Sequence, residues 1–295
     1  MPVRPPTTPT TLRLGSQAYA PGRPVVMAVL NRTPDSFYDR GATYGTAQAL
    51  DRVDRVVAEG ADVVDIGGVK AGVGADVDRA EELRRTAGFV ATVRDRHPEL
   101  VISVDTWRAD VADALCAEGA DLVNDAWAAA DPRVAEVAAR HGVGLVCSHS
   151  GGLAPRTDPA GVTYDDVVAD VVTGTTSLAE RALRLGVRAD GIVLDPTHDF
   201  GKTTAHSLEL TRRLDELVAT GWPVLVALSN KDFVGETLDL PVDRRLTGTL
   251  AATAVAAWQG ARLFRAHQVT ETRELVDMVA SIRGDRPPAA PRRGL

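Results

Sequence analysis

Cysteine is nearly absent. The 295 residues hold two, Cys116 and Cys147, too few for a disulfide framework, so the chain suits a reducing, cytoplasmic setting. Cys147 lies inside an apolar run and reads as a small core residue rather than a nucleophile. Positive charge is also in deficit. A formal net charge of −7 argues against a general nucleic-acid surface, although a small anionic ligand responds to local charge and is not excluded. No apolar stretch is long enough to cross a membrane, and the Pro- and Thr-rich start lacks the apolar segment of a signal peptide. The six histidines never occur as His-X-His or His-X-X-X-His. His149, His198 and His267 therefore carry no metal-site spacing, and a resident metal is not expected.

What the chain has is apolar content and rhythm. At 44% hydrophobic over 295 residues it can bury a large core, in one barrel-sized domain or two smaller ones. Residues 1–20 and 284–295 are rich in Pro with Thr or Arg and are expected to be loose tails. Between them an apolar strand and a helix alternate about every 30 residues. The expected strands are 25–30, 62–66, 100–104, 121–123, 143–147, 191–194, 223–228 and 262–264. Helices are expected near 46–59, 78–96, 109–118, after Pro132, 164–185, 205–219, 246–259 and 270–283. Eight such units without a composition break predict one α/β domain, a (β/α)₈ barrel over residues 21–283. A doubly wound sheet is the alternative. It usually carries a glycine-rich loop after its first strand, where this chain has Asn31-Arg32-Thr33-Pro34. The helix at 246–259 is apolar nearly all round and must be covered on both sides, by barrel packing or by a homodimer partner.

In a barrel the carboxyl ends of all strands open on one face. Here they bring Asn31, Asp65, Asp105, Asn124, His149, Asp195, Lys231, Arg265 and His267. One such residue is readily a turn former or a cap. The set is costly on buried strands unless its members serve each other or a ligand. Asp105, Asn124, Asp195 and Lys231 suit a flat polar heterocycle: carboxylates accept from N–H groups, the amide does both, and the ammonium meets a carbonyl or ring nitrogen. Arg265 and His267 are two apart and share a face. With Asn31 they make a second subsite suited to an anion, and Asn31 offers a carbonyl oxygen to Mg²⁺ held by phosphate oxygens.

At these residues the chain resembles the dihydropteroate synthase family. The resemblance spans about Val25 to Arg283 and rests on several short matches. They are Asn31 with Thr33-Pro34-Asp35-Ser36-Phe37, Asp65-Ile66-Gly67-Gly68, Ser103-Val104-Asp105-Thr106, Asn124-Asp125, Asp195-Pro196 with Phe200-Gly201-Lys202, Ser229 with Lys231, and Arg265 with His267. That family joins a dihydropterin pyrophosphate to p-aminobenzoate, releasing pyrophosphate. The resemblance implies that Asp105, Asn124, Asp195 and Lys231 hold the pterin. It gives the pyrophosphate and its Mg²⁺ to Asn31, Arg265 and His267, and a catalytic role to Lys231, Arg265 and His267. No membrane or nucleic-acid partner is implied.

The departures fall on one side of the site. The family's Glu-Ser-Thr-Arg-Pro-Gly loop is here Val69-Lys70-Ala71-Gly72-Val73-Gly74, so a hydroxyl and an arginine fork are gone. Ser-Arg-Lys-Ser becomes Ser229-Asn230-Lys231-Asp232, which sets a like charge against a benzoate carboxylate. The first loop carries Arg32, Tyr38 and Arg40, and Thr197-His198-Asp199 follows Asp195-Pro196 in place of a Gly-Phe-Gly-like run. The expectation is a homologue that keeps the pterin pocket, with weak or absent synthase activity. The alternatives are a working synthase and a methyltetrahydrofolate-dependent, methyltransferase-like pterin enzyme.

Overall fold

A computed structural model describes residues 11–33, 45–70, 72, 74–157 and 162–293. Two short strands come first, β1 (Leu12–Leu14) and β2 (Gln17–Tyr19). Eight follow: β3 (Val25–Asn31), β4 (Val63–Gly67), β5 (Val101–Asp105), β6 (Leu122–Asp125), β7 (Gly144–Ser148), β8 (Ile192–Asp195), β9 (Leu225–Val226) and β10 (Leu263–Ala266). These eight pair in parallel in the order β8-β7-β6-β5-β4-β3-β10-β9. A bridge between Leu194 and Val224 joins the two ends, so the sheet closes into the expected (β/α)₈ barrel.

Eleven α-helices are described. They are α1 (Thr46–Ala58), α2 (Arg79–Thr86), α3 (Phe89–Arg96), α4 (Ala109–Ala117), α5 (Val134–His141), α6 (Val167–Arg184), α7 (Thr204–Arg212), α8 (Leu214–Val218), α9 (Asp232–Leu238), α10 (Leu246–Gln259) and α11 (Val269–Arg283). Two expected single helices are broken. Gly88, at φ 71, ends the continuity between α2 and α3, a conformation that costs glycine little. Arg213 leaves helical geometry between α7 and α8, where its guanidinium gathers Asp166, Glu209 and Glu216. The helix α9, directly after the seventh barrel strand, was not expected. No described helix is long and apolar enough to cross a membrane.

The strand alternation explains two separate cores. Val26, Ala28, Leu30, Val64, Ile66, Leu145 and Cys147 point outward and pack under the helices. Val25, Met27, Val63, Val101, Leu122, Val146, Val193, Leu225 and Leu263 point inward and fill the barrel. The hairpin β1–β2 joins this inner cluster through Leu12, Leu14 and Tyr19, all buried. The loose tail expected over residues 1–20 is therefore corrected from Leu12 onward, because Leu12, Leu14 and Tyr19 plug the amino-terminal mouth of the barrel. Gly144 makes room for the plug: a Cβ there would stand 2.8 Å from Leu14 Cδ2.

Candidate functional site

The inward parity that fills the barrel with valine and leucine turns polar at the carboxyl ends. Along β4 it gives Val63 then Asp65, along β5 Val101, Ser103 and Asp105, along β6 Leu122 then Asn124, and along β8 Val193 then Asp195. Register keeps these ends level. Asn31 lies beside Gly67, Gly67 beside Asp105, and Asp105 beside Asn124, while Asp195 lies beside Ser148. The parity also sends His149 outward, behind the barrel wall, where its Nε2 meets Asp170 at 2.6 Å.

Asp65 is the buried centre of the floor. Its carboxylate accepts from Ser103 Oγ at 2.6 Å, Asn124 Nδ2 at 3.1 Å and Arg265 Nε at 2.6 Å. Arg265 Nη2 also donates to Asp105 at 3.0 Å. Burial and the neighbouring Asp65 charge push the Asp105 carboxyl up to about 7, against the pull of Arg265. Burial likewise raises Asp195, whose Oδ1 accepts from the Thr197 N–H at 2.7 Å. Among the described residues the side-chain carbonyl of Asn124 is buried without a partner, which leaves an acceptor for a ligand N–H.

Lys231 closes the far side. Its Nζ donates to the His198 carbonyl and stands 4.5 Å from the centre of the Phe200 ring, and burial lowers its pKa. Beneath it Lys202, buried, donates to the carbonyls of His149, Thr197 and Phe200 at 2.9–3.2 Å. This ammonium ties down the loop that carries Asp199. One Asp199 oxygen accepts from the backbone N–H groups of Asp232 and Phe233 at 2.7 and 3.3 Å; the other accepts from Ser207 Oγ at 3.1 Å. Asp199 thus caps α9 with a carboxylate from another loop. The Asp232 carboxylate faces Arg245 at 2.8 Å.

In the second subsite, His267 Nδ1 lies 2.9 Å from Ser229 Oγ. Burial and the adjacent Arg265 and Arg52 charges lower its pKa to about 3, so the ring is neutral at physiological pH. Arg32 turns away: its Nε donates to the Arg85 carbonyl at 3.0 Å, Nη2 to Thr46, and the guanidinium covers the Phe89 ring at 4.4 Å.

One cavity of about 340 Å³ is lined by Asn31, Asp105, Asn124, Asp195, Lys231, Arg265 and His267 together, the seven residues expected to form the pterin and pyrophosphate subsites. His149 and His198 do not line it; His198 packs on Phe233 and meets Thr211 Oγ1 at 3.1 Å. Pro34 to Phe37, Tyr38, Arg40 and Ala71 lie outside the described residues. Sequence reasoning missed the central place of Asp65, the cap made by Asp199, and Trp127, which lines the same cavity. Parity from Val63 predicts the first. The other two depend on loop paths that no local pattern encodes.

Comparison with known proteins gives this geometry a family. Residues 27–267 match the family described as pterin binding enzyme. A Mycobacterium leprae protein named inactive dihydropteroate synthase 2 is 56% identical over 280 residues, 94% of this chain and 96% of that one. The dihydropteroate synthase of Haemophilus influenzae is 36% identical, over 86% of this chain and 92% of that one. Among solved structures, the Yersinia pestis dihydropteroate synthase in a sulfonamide drug complex superposes with a TM-score of 0.88 at 33% identity. The match covers 94% of this chain and all of that one. The closed barrel, the acid, amide and ammonium ring at its carboxyl face, and these likenesses place the chain in the dihydropteroate synthase family of pterin-binding enzymes.

Proposed function

We propose that the chain binds a reduced pterin on Asp105, Asn124, Asp195 and Lys231 and carries out the synthase reaction weakly or not at all. The relatives named inactive support the second half. The observation that carries it is the Asp199 carboxylate on the first N–H groups of α9. An incoming benzoate carboxylate meets a helix end that is already satisfied by a carboxylate, with Asp232 beside it.

The pyrophosphate side is weakened in the same way. Asn31, Arg265 and His267 are the groups that the family likeness gives to pyrophosphate. Arg265 bonds two aspartates and His267 is neutral, so neither offers an uncommitted charge. Asn31 brings one amide oxygen, and among the described residues no cluster of three acids or histidines could hold a metal. Mg²⁺, where used, would therefore rest mainly on the phosphate oxygens and would help draw off the leaving anion. Losing one Arg–phosphate contact costs roughly 2–4 kcal/mol. Asp232 is 66% exposed and paired with Arg245, so its carboxylate adds at most about 1 kcal/mol. About 4 kcal/mol already slows the chemistry by roughly 1000-fold.

The site would act in the cytoplasm. A homodimer would cover Val255 and Trp258, which α10 leaves exposed. The test of the pterin floor is calorimetric titration with a dihydropterin. Lys231→Ala and Asp195→Asn are each expected to weaken binding by at least about tenfold; unchanged affinity in both would place the pterin elsewhere.

A further inference from the structure

The basic side chains described around the cavity are unequally committed. Arg265 spans Asp65 and Asp105, Lys231 donates to the His198 carbonyl, and the neutral His267 ring meets Ser229. Lys70 differs. It is half-buried and lines the same cavity, and among the described residues it makes no hydrogen bond or ion pair. Its surroundings are built for it. Val69, buried before it, is part of the cavity lining, and a Cβ at Gly72 would stand 3.9 Å from Lys70 Cε. The Gly72 carbonyl is held in turn by Arg156 Nε at 3.3 Å. A long side chain at 72 would start beside the lysine stem and share its space. The lysine at 70 and the glycine at 72 therefore read as one exchange, in which a forked cation gives way to a point charge from two positions earlier. The same cavity carries Asp105, Asp195, Asp199 and Asp232. One uncommitted ammonium among these carboxylates answers one anionic group. A second phosphate would meet no further uncommitted cation among the described residues.

Resting on the pterin reading above, we propose that Lys70 is a specificity-determining residue for the six-substituent of the bound pterin, and that this substituent carries one short anionic group, as in a phosphate monoester. The polar floor takes the heterocycle, and the Lys70 ammonium donates to the anion in a charge-assisted hydrogen bond. Arg265, Lys231 and the α9 cap keep their internal partners when such a ligand enters.

The experiment is calorimetry on the full chain with 6-hydroxymethyl-7,8-dihydropterin, its phosphate monoester, and its pyrophosphate ester with Mg²⁺. The monoester is expected to bind about tenfold more tightly than the alcohol, and the pyrophosphate ester to gain less than about tenfold over the monoester. Lys70→Met, which keeps the stem and removes the charge, is expected to bring monoester and alcohol within about threefold of each other, whereas Lys70→Arg keeps most of the preference. Binding of the alcohol reports that the floor is intact in each variant. A monoester preference under about threefold, a preference that survives in Lys70→Met, or a pyrophosphate ester that gains about tenfold or more over the monoester overturns the inference and leaves pterin binding standing. Failure of all three pterins to bind overturns the inference together with the pterin reading.

Discussion

Asp65 and Arg265 show how a buried charge is kept in this protein. Three donors converge on Asp65, and the guanidinium among them also reaches Asp105. Arg265→Ala leaves the Asp65 charge without its counter-ion and is expected to cost about 3 kcal/mol in urea unfolding; a loss under about 1 kcal/mol would mean that Asp65 is held by its neutral donors alone. Asp105 supplies a pH dependence. Its folded value of about 7 lies above the ordinary 3.8, so the fold keeps a proton that the unfolded chain releases between those values. Its contribution to stability is full below that window and is lost as pH rises through it. Ligand binding runs the other way, because an N–H donor needs the ionised carboxylate. Pterin affinity is expected to fall about tenfold from pH 8 to pH 6, and Asp105→Asn should flatten the profile; a wild-type profile that is already flat would place the acceptor elsewhere. Polar strand ends were legible at this scale, since side-chain direction alternates along a strand. Their partners were not, because Arg265 meets an aspartate 200 residues away and only the closed barrel brings the two together.

Among the elements, α9 and the amino-terminal hairpin carry the most consequence. Asp199→Ala removes the shared acceptor of two N–H groups and is expected to cost about 1 kcal/mol. Hydrogen exchange at the Asp232 and Phe233 amides should rise, while α10 amides stay protected. Equal protection in the variant would mean that α9 needs no cap. Leu14→Ala at the barrel plug is expected to destabilise by about 3 kcal/mol in thermal or urea unfolding, whereas a dispensable tail would show almost none. The hairpin was present in the sequence as Leu12-Arg13-Leu14-Gly15-Ser16-Gln17-Ala18-Tyr19, with alternating apolar residues around a glycine turn. The proline-rich residues before it mask that pattern. The strand and helix rhythm was plain because each unit buries one apolar face. The division of helices at Gly88 and Arg213 was not, since there a backbone turn and a charge hub override a continuous helical pattern.

At the scale of the whole molecule, the barrel is complete as a scaffold, and the proposed reading puts the loss of the family's chemistry in its loops. The floor depends on strand register, so conversion of the loops leaves it intact. On the proposed reading, the Asp199 and Asp232 carboxylates that hold the rim are the ones that oppose an anionic partner. The most direct measurement is turnover: purified full chain, dihydropterin pyrophosphate, Mg²⁺ and p-aminobenzoate, following pyrophosphate and dihydropteroate together, with Lys231→Ala alongside. The account predicts no dihydropteroate above the Lys231→Ala background. Dihydropteroate formed by the wild type and abolished in Lys231→Ala would contradict it, and would mean that the altered loops still assemble a working synthase.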